Sequence, residues 1–188
     1  MQRGDVERGQ TRSYPGIRPH VTITRHFLPR SDQHMTPWQL LESAIRDKEN
    51  PRDPGDLALA AEALARGADL NHRSPDGWTA LMFAAAEDDA PMVDWLIAQG
   101  AHPEERAVLE AARFDAAASM AALLKHGIST EYDEHGDTPA TLAAREGCYR
   151  VIPLLAASGA DLDRRDDDAK SARTYLERAG RRDLLGGR

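Results

Sequence analysis

The sequence predicts an all-α solenoid of stacked helix-turn-helix units joined by short hairpin loops. Three observations carry this: a pattern that returns with a period of about 33 residues, apolar residues spaced for helices, and a core drawn from alanine rather than from aromatics. The period is read between Gly67-Ala68-Asp69-Leu70-Asn71 and Gly100-Ala101-His102-Pro103, and the motif returns at Gly159-Ala160-Asp161-Leu162-Asp163. Gly127-Ile128-Ser129 follows Gly100 by clearly less than one period and precedes Gly159 by nearly a full one, so one unit is shortened. A second series agrees: Gly77-Trp78-Thr79-Ala80-Leu81 aligns with Gly136-Asp137-Thr138-Pro139-Ala140, and Ser171 stands one period beyond Thr138. Aromatic residues make up 5% of the chain against 41% hydrophobic, which suits helices brought close on small side chains and disfavours sheets.

Taken in order, residues 1–34 show no sustained helical period, and Pro15, Pro19, Pro29, Gly4, Gly9 and Gly16 interrupt them. The expectation is a flexible tail, with Val21-Thr22-Ile23-Thr24 the one stretch whose alternation suits an extended segment. Met35 opens the ordered pattern and is a candidate natural start, and Thr36-Pro37 supplies an N-cap and a first-turn proline. The first unit pairs 37–46 with 56–66 across the breaker-rich run 47–55, expected as a surface loop. Thr79 and Thr138 are placed to cap first helices, and Pro139 is tolerated at a first helical position, where its missing N–H has no partner to lose. Ala84, Ala85, Ala143 and Ala144 offer a smooth packing surface. Val93, Leu96 and Ile97, then Val151, Leu154 and Leu155, form the apolar stripes of second helices. Met92, Trp95 and Trp38 are expected in the core by the same spacing. Gly67, Gly100, Gly127 and Gly159 end second helices as left-handed caps. Pro91 fits a first turn, whereas Pro153 lies deeper and is expected to kink or shift its helix. The domain spans 35–188, in units near 35–72, 73–103, 104–130, 131–163 and a polar cap, 164–188.

The Gly-x-Thr-Pro-Leu-type openings, Ala-Ala helices, Leu-Leu helices and Gly-Ala-Asp endings together resemble ankyrin repeats, over roughly residues 35–185. The likeness is strongest in 76–100 and 136–163. One departure stands out: the link from Gly100 to the helix near Arg106 is about half as long as the link from Gly67 to Thr79 in the preceding unit. The hairpin of that unit is therefore expected to be missing, leaving a notch in the finger row. What the resemblance implies is a curved array whose hairpin tips and first helices form a concave face read by a protein partner. The corresponding positions are Arg73, Pro75, Asp76, Trp78, Ala86 and Glu87, then Arg113 and Phe114, then Glu134, His135, Asp137, Arg145 and Glu146. Trp78 and Phe114 are the candidate anchors if they face solvent; the alternative is that both rings fill gaps left by alanine.

Charge narrows the partners. Net charge is -7. From Met35 onward there are 18 basic and 28 acidic residues, a balance that repels a phosphate backbone, so nucleic acid is not expected. No N-terminal apolar stretch reaches signal-peptide or membrane-span length, so no membrane partner is expected, and the one cysteine, Cys148, excludes an intramolecular disulfide framework. A reducing, cytoplasmic setting follows as an expectation, with a secreted effector as the alternative. There is no phosphate-binding glycine loop, nucleophile elbow, His-Glu-x-x-His or Cys-x-x-Cys, so no enzyme, cofactor or metal site is expected. His72, His102, His126 and His135 read as loop histidines, Cys148 as a packed thiol, and Asp166-Asp167-Asp168 as a charged surface loop. The expected function is a monomeric, non-catalytic protein-binding module. The alternatives are a self-associating structural protein and an enzyme using Glu110, Arg113 and Glu146 on the concave face.

Overall fold

A computed structural model describes residues 35–47, 55–132, 134 and 136–185. Residues 1–34, with the expected tail, and most of the expected 47–55 loop lie outside the described residues. The order is α1 (Pro37–Arg46), α2 (Leu57–Ala65), α3 (Ala80–Ala86), α4 (Ala90–Ala98), α5 (Glu105–Arg113), α6 (Ala117–Lys125), α7 (Pro139–Glu146), α8 (Ile152–Ala157), α9 (Ala172–Arg178) and a closing 3-10 turn, Arg182–Leu185. Among the described residues the only β pairing is two isolated bridges, Glu134 with Asp137 and Arg165 with Ser171. The chain is thus an all-α helical solenoid. First helices α1, α3, α5, α7 and α9 stack in one layer, and α4, α6 and α8 stack in a second.

Hydroxyls start four of the five first helices, as the sequence predicts for Thr36, Thr79 and Thr138; α5, in the third unit, has Glu104 at its N-cap and no side-chain cap. Thr36 accepts from the Gln39 N–H at 3.2 Å while the Gln39 side chain accepts from the Thr36 N–H at 2.9 Å, a reciprocal box. Thr79, Thr138 and Ser171 cap α3, α7 and α9, accepting from the Met82, Thr141 and Thr174 N–H groups. The first helices meet through alanine: Ala84, Ala85, Ala111, Ala112, Ala143 and Ala144 are all buried, so the helices approach closely without large side chains between them. Met92 is buried in the core, and Trp38 and Trp95 pack against it. Gly67, Gly100, Gly127 and Gly159 all have positive φ, between 74° and 98°, and a Cβ added at any of them meets nothing within 4 Å. Conformation, not crowding, keeps glycine there.

Pro91 sits in the first turn of α4. Of the two expectations for Pro153, a kink or a shift, the structure shows the shift: α8 begins only at Ile152 and the proline occupies its first turn. The turn Tyr149–Val151 absorbs the offset, and the helix is left with 6 residues.

A further device holds the units in register. Asp88 and Asp115 adopt left-handed backbone, φ 56° and 52°, at the turn between first and second helices, where the fourth unit has Gly147 at φ 80°. Asp88 Oδ1 accepts from the N–H groups of Ala118 and Ser119 at 2.8 and 3.0 Å, at the start of α6 in the next unit. Asp115 Oδ1 accepts from Arg150 and Val151 at 2.8 and 3.3 Å, at the start of α8. Neither α6 nor α8 has a side-chain cap of its own. The second and third units therefore each cap the second helix of the unit after them, whereas α2 and α4 are capped by their own Asp56 and Asp89.

Candidate functional site

The surface that the family resemblance implies as concave is built from three hairpin fingers and the first helices behind them. In the second unit the Ser74 N–H donates to Trp78 O at 2.8 Å and the Gly77 N–H to Ser74 O at 2.8 Å. In the fourth, Glu134 and Asp137 exchange backbone bonds of 3.1 Å. In the fifth, the Asp166 N–H donates to Lys170 O at 2.8 Å. The third unit runs from Ala101 straight into α5 at Glu105, so the finger is missing and the expected notch is present.

The aromatic residues behave differently from one another. Trp78 stacks on Phe83 with ring centroids 5.1 Å apart and meets Phe114 of the next unit at 6.4 Å, tilted by 59°. The Arg46 guanidinium covers Phe83 at 4.7 Å from its centroid. Phe114 and Phe83 are buried, whereas Trp78 stays partly accessible. This corrects Phe114 as a solvent-facing anchor: the alanine-rich first helices leave room beside them, and the Phe114 ring fills it. Glu87 is corrected likewise, since it is buried as the C-cap of α3, in a turn that the next unit packs against through Asp88. His135 lies outside the described residues. Arg73 and Asp76 are exposed on the second finger.

The remaining candidates form ion pairs. Glu110, on α5, is enclosed by two arginines of its own helix, Arg113 Nε at 3.1 Å and Arg106 Nε at 3.7 Å. Glu134, from the fourth finger, reaches back to the same two guanidinium groups, each at 3.4 Å. Burial pushes the Glu110 carboxyl above its ordinary range against the pull of Arg113 and Arg106. Arg73 bridges the notch's other side, donating to Glu104 at 2.7 Å and to Gly77 O at 3.0 Å. Arg145 grips Asp137 with two bonds of 2.6 Å and reaches Glu146 at 3.2 Å. Arg106 and Glu104 were not singled out by sequence. The Arg106, Glu110, Arg113 spacing of i, i+4 and i+3 was the signal available.

Other chemistry resolves into packing. The Cys148 Sγ donates to Arg113 O at 3.4 Å, and burial pushes the thiol up to about 12. Asp166 is buried, accepts from the Tyr175 hydroxyl at 2.6 Å and from the Asp168 and Lys170 N–H groups at 3.0 and 2.9 Å, and so locks the last finger to α9. His126 pairs with Asp94 at 2.6 Å between α6 and α4, and His72 lies 4.6 Å from Trp38. Among the described residues no helix is long and apolar enough to cross a membrane.

The repeat pattern, helix order and finger geometry agree with comparison against known families. A family model described as ankyrin repeats (3 copies) matches residues 89–166, and one described as ankyrin repeats (many copies) matches residues 50–97. Between them they span most of the helical array, including the unit that lacks its finger, and the chain belongs to the ankyrin repeat proteins.

Proposed function

We propose that this chain is a non-catalytic, monomeric protein-binding module whose partner docks on the concave face around Trp78. Ankyrin repeats generally serve as protein-protein interaction modules, which supports the class of function. The observation that carries the location is Trp78 itself: a partly exposed indole in ring contact with both Phe83 and Phe114. Aromatic anchors that lose little freedom on binding dominate interface energies, and the flanking ion pairs add orientation. The enzyme alternative is weakened at Glu110, whose two oxygens each face a guanidinium of its own helix and are engaged in holding the array.

Affinity capture from the source organism with the wild-type chain and with Trp78→Ala tests the reading. Loss of a captured protein in the folded variant supports it; undiminished capture removes Trp78 from the interface. One observation favours self-association as a second reading: Leu57 on α2 is 37% exposed, the one large apolar side chain so exposed among the described residues. Sedimentation at rising concentration separates the two, since only self-association raises the mass.

A further inference from the structure

We propose that the concave face takes an acidic, extended peptide segment, whose carboxylates meet the guanidinium groups of Arg73, Arg106, Arg113 and Arg145 while an apolar side chain rests on Trp78. This rests on the concave-face reading above and supplies the partner's chemistry. The first ground is the way each ion pair is layered. The Arg73 side chain is 53% exposed and its partner Glu104 19%; Arg106 is 31% exposed and Glu110 2%; Arg145 is 35% exposed and Asp137 17%. Arg113 lies over Glu110 in the same sense. In every pair the guanidinium is the outer member and a carboxylate backs it, so an incoming segment meets cations first although the domain as a whole is acidic.

The second ground is continuity. Arg73 donates to Gly77 O at 3.0 Å, and a Cβ on Gly77 would stand 4.0 Å from an Arg106 nitrogen. Arg106 and Arg113 share Glu110 and Glu134. Arg113 and Arg145 both act on Asp137. The four cations form one chain from the second finger, across α5, to α7. The missing third finger leaves a gap between the second and fourth fingers, where Arg106 and Arg113 stay partly exposed beside Glu134 and where a single extended strand reaches them.

The third ground is donor capacity. A guanidinium carries five N–H groups. Among the described residues Arg73 donates two hydrogen bonds, Arg113 two and Arg145 three. Arg106 is held by ion pairs alone; its Nε is buried against Glu110, so what it can offer a peptide lies on its terminal nitrogens. These spare donors call for oxygen acceptors, and an extended acidic peptide offers both side-chain carboxylates and main-chain carbonyls. Nucleic acid fits less well, because its closely spaced phosphates would be pressed against Glu104, Glu134, Asp137 and Glu146 directly behind the arginines.

The test is selection of a phage-displayed library of random dodecapeptides against the full chain. Selected peptides are then titrated against wild type, Arg73→Gln and Trp78→Ala, each checked by circular dichroism; Arg73 is the most exposed of the four and its replacement leaves the fold intact. The expected result is enrichment of Asp and Glu around one apolar residue, with binding weakened roughly tenfold by Arg73→Gln, the loss due when a charged hydrogen-bond donor is removed. Selected peptides that are basic or uncharged, or that ignore Arg73→Gln while losing affinity to Trp78→Ala, overturn the acidic-peptide inference and leave concave-face binding standing. Peptides indifferent to both variants overturn both. Failure to select any binder also overturns the inference, because a linear acidic segment is then not the ligand, while a folded partner on the same face is unaffected.

Discussion

Replacing Asp88 separates two contributions that this residue makes at once. Its carboxylate accepts two N–H bonds, 2.8 and 3.0 Å, from the uncapped start of α6, and its backbone holds φ 56°, a region that alanine resists more than aspartate, asparagine or glycine. Loss of a helix cap costs about 1–2 kcal/mol, and placing alanine in left-handed backbone adds about 1 kcal/mol. Asp88→Ala is therefore expected to cost about 2–3 kcal/mol. Asp88→Gly loses the cap but relieves the backbone, so about 1 kcal/mol remains, and Asp88→Asn keeps both the acceptor and the tolerance and stays within about 0.5 kcal/mol of wild type. Urea titration followed by circular dichroism reads the series. With a slope of about 2–3 kcal/mol per molar for a domain of this size, the alanine variant shifts the midpoint down by roughly 1 M. Equal losses for alanine and glycine would refute the conformational part, and an asparagine variant as weak as alanine would refute the inter-unit cap.

Three further outcomes follow from the same geometry. Gly136→Ala is expected to cost about 2 kcal/mol or more, since its φ is +79° and an added Cβ collides with Asp167, whose backbone N would lie 2.9 Å away; Gly67→Ala, with φ +90° but open space, should lose only the backbone part, about 1 kcal/mol, by thermal unfolding. Glu110 has its folded-state acidity weakened by burial, so the native state holds its proton above the ordinary value of 4.5 and the group's contribution falls as pH rises through that window; the stability of wild type relative to Glu110→Gln should therefore decline from about pH 4.5 upward, measured by urea titration at several pH values, and a rising difference would contradict it. Cys148, with a thiol pushed up to about 12, should react with a disulfide reagent at pH 8 only as fast as the fold opens, and rapid labelling of the native chain would show the site to be accessible.

Much of the fold was legible because it is written in local terms. Thr79 and Thr138 before alanine runs, Gly67, Gly100 and Gly159 after leucine stripes, and the short link from Gly100 to Arg106 each specify a cap, a stop or a missing hairpin within a short stretch. What escaped involves contacts between units. Asp88 and Asp115 act on residues 30 and 35 positions away, and nothing in their neighbourhood marks them as caps. Phe114 occupied a position that the family pattern turns outward, yet alanine on the neighbouring helices made room for it inside. Pro153 suggested a kink or a shift of its helix, and only the helix start at Ile152 decides for the shift. At the candidate site, Trp78, Arg73, Arg113 and Arg145 could be read from the repeat register, whereas the enclosure of Glu110 by Arg106, Arg113 and Glu134 depends on how the fourth finger folds back over α5.

On the proposed function, a protein partner sits on the concave face beside Trp78. A photo-crosslinking amino acid placed at Asp76, exposed on the second finger, and separately at Gln99, exposed at the end of α4, would test it directly in cells of the source organism. A discrete crosslinked partner from position 76 and none from position 99 is the result expected. Equal crosslinking at both, or crosslinking from position 99 alone, would contradict the concave-face account.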